Sequence, residues 1–277
     1  MWAGNVHGHT DYCDGKGKPV EYIEFAIRKK HLLIGFSSHI PLMNHQSNWN
    51  MKKENFYRYI NEINDLKVNF KGVIDVFCGF EMDDPYSLYT CSELRNLYED
   101  MVDYTIGSVH YLGVLKNGEL WEVDGSTEMF LSGVQEIFDG DLQKTIMHYF
   151  KRMREILLES RPDILGHLDK IMIHQSLRDF VNKNEQLYLD EVNSVLDICA
   201  QLGIIVEINT RGLYTKRLNN FYPARTLWQF LKQKNIPIVV TSDCHHPEEL
   251  DNYCTEVHQE AKLFGLNLID IQEFLQM

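Results

Sequence analysis

Three side chains able to bind a metal, His7, His9 and Asp14, fall within the short stretch His7-Gly8-His9-Thr10-Asp11-Tyr12-Cys13-Asp14-Gly15. Side chains alternate faces along an extended strand, so His7 and His9 point the same way and can grip one ion. Gly15 then permits a tight exit from that strand. Further residues of the same chemical kind stand at the ends of short apolar runs. Leu32 to Phe36 ends in Ser37-Ser38-His39, Val73 to Phe80 in Glu81, Tyr104 to Val109 in His110, and Asp163 to Gly166 in His167 and Asp169. Ile204 to Ile208 delivers Asn209-Thr210-Arg211, and Ile236 to Val240 delivers Thr241-Ser242-Asp243-Cys244-His245. Imidazole mixed with carboxylate suits zinc, manganese or iron.

The elements that must position these residues alternate. Between the apolar runs lie segments with helical spacing: Pro19 to Lys30, Trp49 to Leu66, Ser92 to Met101 capped by Ser92, Asp141 to Ser160, Glu185 to Leu202 closed by Gly203, and Ala224 to Lys234. A helical stretch from Pro247 onward ends the chain, and 111–138, punctuated by Asn117, Gly118, Gly125 and Gly133, reads as an elaborated loop or hairpin over one face. Seven short strands alternating with helices predict an α/β fold, a distorted (β/α)7 barrel. The carboxyl ends of parallel barrel strands open on one mouth, where residues distant in sequence converge.

Composition sets bounds on what such a site serves. At 277 residues the chain fits one domain spanning 1–277. A formal charge of -13, from 27 basic and 40 acidic residues, is a poor surface for nucleic acid and favours a small substrate. Six cysteines without a CxxC pair indicate reduced thiols. No apolar run approaches membrane-spanning length and no leader precedes His7, so the expectation is a soluble, cytoplasmic protein without a membrane partner. Nothing in the sequence sets an oligomeric state.

The ordered motifs resemble those of the polymerase and histidinol phosphatase (PHP) family over essentially the full length. HGHTDYCDG is similar to its first motif, with Cys13 where serine is more usual; SSH, GFE, SVH, GHLD and TSDCHHP follow in family order. The resemblance implies up to three divalent transition-metal ions. The first would take His7, His9, Glu81 and Asp243; the second would share Glu81 and add His110 and His167; the third would take Asp14, His39 and His245. A carboxylate is the natural bridge, because each oxygen can bind one ion while its charge screens their repulsion. Length, the EINTRGL stretch and the insertion after His110 resemble the histidinol phosphatase branch, which implies L-histidinol phosphate as substrate in histidine biosynthesis.

The chemistry implied is phosphoester hydrolysis, in which a hydroxide held between ions attacks phosphorus in line. Glu81, Asp243 and His245 are expected at the reacting centre, and Arg211 and Arg161 on the phosphate, because arginine forks match its oxygens. Arg211 stands where the family's EINT motif has a small residue. His45, after His39, is a further candidate for contact with substrate. Asp83, Asp84, Glu122 or Asp124 would meet a substrate ammonium, and Tyr86, Tyr111 or Trp121 would cover a ring. His31, His148, His174 and His258 lie in or near helices and read as packing or surface residues, and Cys244 as part of the wall. Three competing readings are a nuclease or polymerase-associated module, disfavoured by the acidic surface; an amidohydrolase-like barrel, which leaves His39 and His245 unexplained; and a non-catalytic metal-binding module, at odds with a full set of ligands.

Overall fold

The computed structural model describes residues 2–45, 47–83 and 85–276. Its strands are β1 (Gly4–Asn5), β2 (Leu33–Phe36), β3 (Asp75–Met82), β4 (Tyr104–Gly107), β5 (Tyr111–Val114), β6 (Leu120–Glu122), β7 (Ile164–Leu165), β8 (Ile205–Asn209), β9 (Pro237–Thr241) and β10 (Asn267–Leu268). Eight of them form one sheet in the order β1-β2-β3-β4-β7-β8-β9-β10, with each neighbouring pair parallel. Beyond β1 the chain stays extended, and Gly8 makes a parallel bridge to Cys244 just past β9. The His9 amide donates to the Cys244 carbonyl at 2.8 Å, so the sheet curls back on itself at its carboxyl end. Seven strands therefore ring the mouth, as the alternation of elements predicts. The eighth, β10, runs beside the start of β9, pairing Asn267 with Pro237, inside the stretch the sequence presents as helical. Gly265, at φ +83, ends the helix Cys254–Phe264 and releases the chain into that strand.

Apolar residues of the sheet fill the barrel's interior. Val6, Leu33, Phe77, Tyr104, Ile106, Ile164, Ile205 and Val239 pack as one cluster, and the Tyr104 hydroxyl donates to the Val6 carbonyl at 2.6 Å. The Tyr104 ring lies so close to β3 that a Cβ on Gly79 would stand 2.6 Å from it, which is why this central strand carries a glycine.

Helices form where the 3.6-residue period places them, at Pro19–Arg28, Phe56–Asn69, Leu142–Glu155 and Glu185–Leu202, the last closed by Gly203 at φ +71. The helix Cys91–Leu97 is capped by Thr90, not by Ser92. Thr90 Oγ1 accepts from the Glu93 amide at 3.2 Å, and Glu93 reaches back to the Thr90 amide at 2.9 Å, a reciprocal box. The insertion contains the antiparallel β5–β6 hairpin, one of the two forms the sequence suggests, and then a full helix, Thr127–Phe138, which it does not. Gly133 interrupts that helix's apolar pattern for a packing reason: a Cβ there would fall 2.1 Å from the Trp121 indole nitrogen.

Candidate metal centre

Every strand end that the sequence marks as a ligand source opens on one mouth. Glu81, at the end of β3, lies at its centre and is buried. Its two oxygens divide the imidazoles. Oε2 faces His7 Nε2 at 3.3 Å, His9 Nε2 at 3.4 Å and His39 Nδ1 at 3.1 Å. Oε1 faces His167 Nε2 at 3.0 Å and His110 Nε2 at 3.5 Å, and accepts from the Ser108 hydroxyl at 2.6 Å. Asp243 Oδ1 closes the first group, 3.2 Å from His9 Nε2 and 3.8 Å from His7 Nε2. Asp14 gathers the third: its Oδ2 is 3.0 Å from His245 Nε2, and its Oδ1 is 3.9 Å from both His39 Nε2 and His9 Nδ1. His39 thus stands between groups, one ring nitrogen toward Glu81 and the other toward Asp14.

The donor set fits divalent cations. Nε2 of His7, His9 and His110 and Oδ1 of Asp14 are buried without a hydrogen-bond partner, an arrangement that costs free energy unless an electrophile fills the centre. Trios with ligand atoms within 4.8 Å of one another recur through the cluster, among them His7-His9-Asp243 and His39-Glu81-His110, and Asp14 joins His9, His39 and His245 in the same way. Burial raises the Glu81 carboxyl, but the imidazoles of His7, His110 and His39 outweigh it and hold the group well below the usual carboxylate range. Burial likewise works against a proton on His7, yet the carboxylates of Glu207, Glu81 and Asp243 raise its pKa well above normal. For His39 burial dominates and lowers the pKa to about 3. Asp243 sits at φ +52, in the left-handed region that aspartate tolerates better than most residues. Arg211 Nη1 fixes it there by donating to its carbonyl at 2.7 Å.

Sequence reasoning does not single out the groups that aim these ligands. Glu207, in the middle of the apolar strand β8, is buried and accepts from His7 Nδ1 at 2.7 Å, the His167 amide at 2.7 Å, Asn209 at 2.9 Å and the Thr241 hydroxyl at 2.7 Å. A lone carboxylate within Ile204 to Ile208 was the available signal. Asp83 has its Oδ2 3.2 Å from His110 Nδ1 and accepts from the His110 backbone amide at 2.5 Å; Asp84, its fellow candidate, lies outside the described residues.

A cavity of about 250 Å³ opens over the cluster. His39, His110, Asp14, Asp243 and His245 form one wall; Trp49, Glu122, Asp124, Lys170, Arg211, Arg217 and Tyr222 are among the residues of the other. Lys170, immediately after the GHLD motif, is buried and ion-paired to Asp124 at 3.0 Å. Arg211 lines the mouth as the sequence suggests. Arg161 does not: it is exposed and precedes β7, at the amino end of the barrel, where its carbonyl accepts from Arg95. His45 packs edge-on against Tyr86 at 5.8 Å, outside the cavity lining. Trp121 is sealed in the core beside Phe130, and Tyr111 stacks on Trp49 at 5.1 Å; the aromatics that line the mouth are Trp49 and Tyr222. The packing histidines behave as expected. His174 bonds to the Val123 carbonyl at 2.6 Å and His148 to the Leu112 carbonyl at 2.7 Å. Cys244 is buried in the wall.

The chain resembles known proteins in sequence and in fold. The family model described as PHP domain matches residues 5–211. A Deinococcus radiodurans protein named "Probable histidinol-phosphatase" is 30% identical over 94% of this chain and 92% of its own length. Bacillus subtilis histidinol-phosphatase is 24% identical over 88% and 94%. The solved structure of hisK from Listeria monocytogenes superposes with a TM-score of 0.74 at 20% identity, covering 91% of this chain and 98% of that one. The Lactococcus lactis histidinol phosphate phosphatase complexed with zinc, L-histidinol and phosphate gives 0.67 at 19% identity, covering 97% and 96%.

Proposed function

Because this chain belongs to the PHP domain family, we infer that it is a metal-dependent histidinol-phosphatase, hydrolysing L-histidinol phosphate to L-histidinol and phosphate. The observation that carries the reading is Glu81, whose two oxygens each face a separate pair of imidazoles at the barrel mouth, His7 and His9 on one side and His110 and His167 on the other. In this reading His7, His9, Asp14, His39, Glu81, His110, His167, Asp243 and His245 would hold up to three zinc, manganese or iron ions, Glu81 offering one oxygen to each side. Bound divalent ions supply Lewis acidity and lower the pKa of water, which is what cleavage of a phosphomonoester requires. Glu81, Asp243 and His245 surround the reacting atoms.

The chain's own residues supply the rest. Lys170 holds its positive charge although burial works against it, because Asp124, Asp243 and Glu81 outweigh that cost. It and Arg217 present cations to the non-bridging phosphate oxygens. Arg211 spends one guanidinium nitrogen on the Asp243 carbonyl and on Tyr214 at 3.2 Å, and so holds the ligand loop as well as lining the site. Glu207 fixes the His7 tautomer, with Nδ1 as donor and Nε2 free toward the cluster.

We place the enzyme in the cytoplasm, as one domain over residues 1–277 acting on a small molecule and not on nucleic acid. The free cysteines, the net charge of -13 and the lack, among the described residues, of a helix long and apolar enough to cross a membrane support this placement. The test is phosphate release from L-histidinol phosphate, glycerol phosphate and oligonucleotides by the metal-loaded protein. L-Histidinol phosphate should exceed glycerol phosphate in kcat/KM by at least about tenfold, or about 1.4 kcal/mol. Equal rates on all esters remove the substrate assignment, and faster cleavage of oligonucleotides overturns the function.

A further inference from the structure

A glutamate carboxylate turns easily about its last bond, so the division of imidazoles between the two oxygens of Glu81 needs a cause. The two oxygens are not equally served. Oε2 faces only rings, those of His7, His9 and His39. Oε1 faces His110 and His167 and also accepts from the Ser108 hydroxyl at 2.6 Å. An imidazole nitrogen that binds an ion carries no proton, so Nε2 of His110 and of His167 cannot both ligate and donate. With those two rings on an ion, Ser108 is the one hydrogen-bond donor left to Oε1 among the described residues.

The place of that hydroxyl is set from both sides. Ser108 is buried just past β4, and its amide donates to the carbonyl of Met82, the residue after Glu81, at 2.9 Å. On the other side Gly166, just past β7, donates its amide to the Gly107 carbonyl at 2.9 Å. A Cβ on Gly166 would stand 2.2 Å from Ser108 Oγ, whereas its next neighbours, Ile106 Cγ2 and the Gly107 oxygen, lie at 3.1 Å and 3.5 Å. Gly166 is not among the residues with positive φ, so its backbone makes no demand for glycine. The space taken by the serine hydroxyl does. The residue that follows is His167, one of the two rings on Oε1.

We propose that Ser108 is the positioning residue of the bridging carboxylate: its hydroxyl, seated in the space that Gly166 leaves open, fixes the rotation of Glu81 so that Oε1 is presented to His110 and His167 and Oε2 to His7 and His9. The serine of SVH and the glycine of GHLD, on separate strands, then act as one unit. The proposal rests on the metal-centre reading and adds the group that decides which oxygen serves which side.

The experiment measures zinc affinity by chelator competition, and melting in excess zinc, for the wild type, Ser108→Ala, Gly166→Ala and the double variant. Ser108→Ala should weaken at least one zinc by roughly tenfold or more while the fold persists. Gly166→Ala should lower both zinc affinity and melting temperature, because its methyl group evicts the hydroxyl. In the double variant the methyl fills the space that the hydroxyl vacates, so melting should recover relative to Gly166→Ala while zinc affinity stays at the level of Ser108→Ala. Zinc affinity within twofold of wild type at every site in Ser108→Ala overturns the proposal. A loss in the double variant equal to the product of the two single losses also overturns it, since the residues would then act separately. Ser108→Ala and the double variant both lack the clash, so the test survives a Gly166→Ala protein that does not fold. A wild type that binds no zinc would instead defeat the metal-centre reading beneath it.

Discussion

Glu207→Gln changes one atom at a residue that touches no substrate, and its effect follows from the directions of four hydrogen bonds. The His167 amide at 2.7 Å and Asn209 at 2.9 Å both donate to Oε1, while His7 Nδ1 and the Thr241 hydroxyl, each at 2.7 Å, meet Oε2. A backbone amide cannot reverse, so the glutamine oxygen must stay at the Oε1 position and its NH2 group must face His7. Two donors then oppose each other unless the imidazole moves its proton to Nε2, the nitrogen that faces Glu81 at 3.3 Å and Asp243 at 3.8 Å. A protonated Nε2 cannot ligate an ion. Loss of such an orienting carboxylate typically lowers metal affinity by about 10- to 100-fold, or roughly 1.4 to 2.7 kcal/mol. Chelator competition and elemental analysis after dialysis read this directly. Melting curves in excess metal separate it from a folding defect, since a ligand that binds only the native state stabilises that state. Affinity within twofold of wild type at every site would refute the reasoning.

Glu81→Ala should deplete more than one metal equivalent per chain, because each of its oxygens faces different imidazoles; retention of full metal content and activity would disprove the bridging role. Lys170→Met should raise KM for phosphomonoesters and weaken inhibition by inorganic phosphate, with partial recovery in Lys170→Arg, and unchanged phosphate inhibition would remove Lys170 from the anion site. Gly133→Ala should lower stability by about 1 to 3 kcal/mol by forcing a methyl against the Trp121 ring, measured as a fall in denaturation midpoint; a neutral effect would mean the helix Thr127–Phe138 shifts freely.

The candidate ligands are legible in the sequence because strand ends are where apolar periodicity stops, and a histidine or acid just past such a run has little to do in packing. His7, His9, Glu81, His110, His167 and Asp243 are all of this kind, and each arrives at the mouth. Arg161 failed the same logic because it precedes its strand: the amino end of β7 lies at the far side of the barrel. Glu207 and Lys170 were hidden by their surroundings. One sits inside a run that reads as pure core, and the other follows a motif whose histidine and aspartate draw the eye. The helix Thr127–Phe138 was obscured by Gly133, a residue explained only by a tryptophan twelve positions earlier that approaches its backbone. Lone side chains and periodicity are local properties; the orienting shell and the close approach exist only after the strands are assembled.

The seam between Gly8 and Cys244 also bears on the order in which the chain folds. Asp14 and His245, 231 positions apart, meet across it, as do Asn5 and Ser242, 237 apart. Closing so long a loop carries a large entropic cost until the intervening strands have already shortened the path, so this edge-to-edge pairing belongs to the late stage of folding. Any ion gripped from both flanks of the seam meets its complete ligand set only in a finished barrel. Its binding energy then acts after the main barrier, slowing unfolding and leaving the folding rate almost untouched, so that the protein gains persistence without gaining speed.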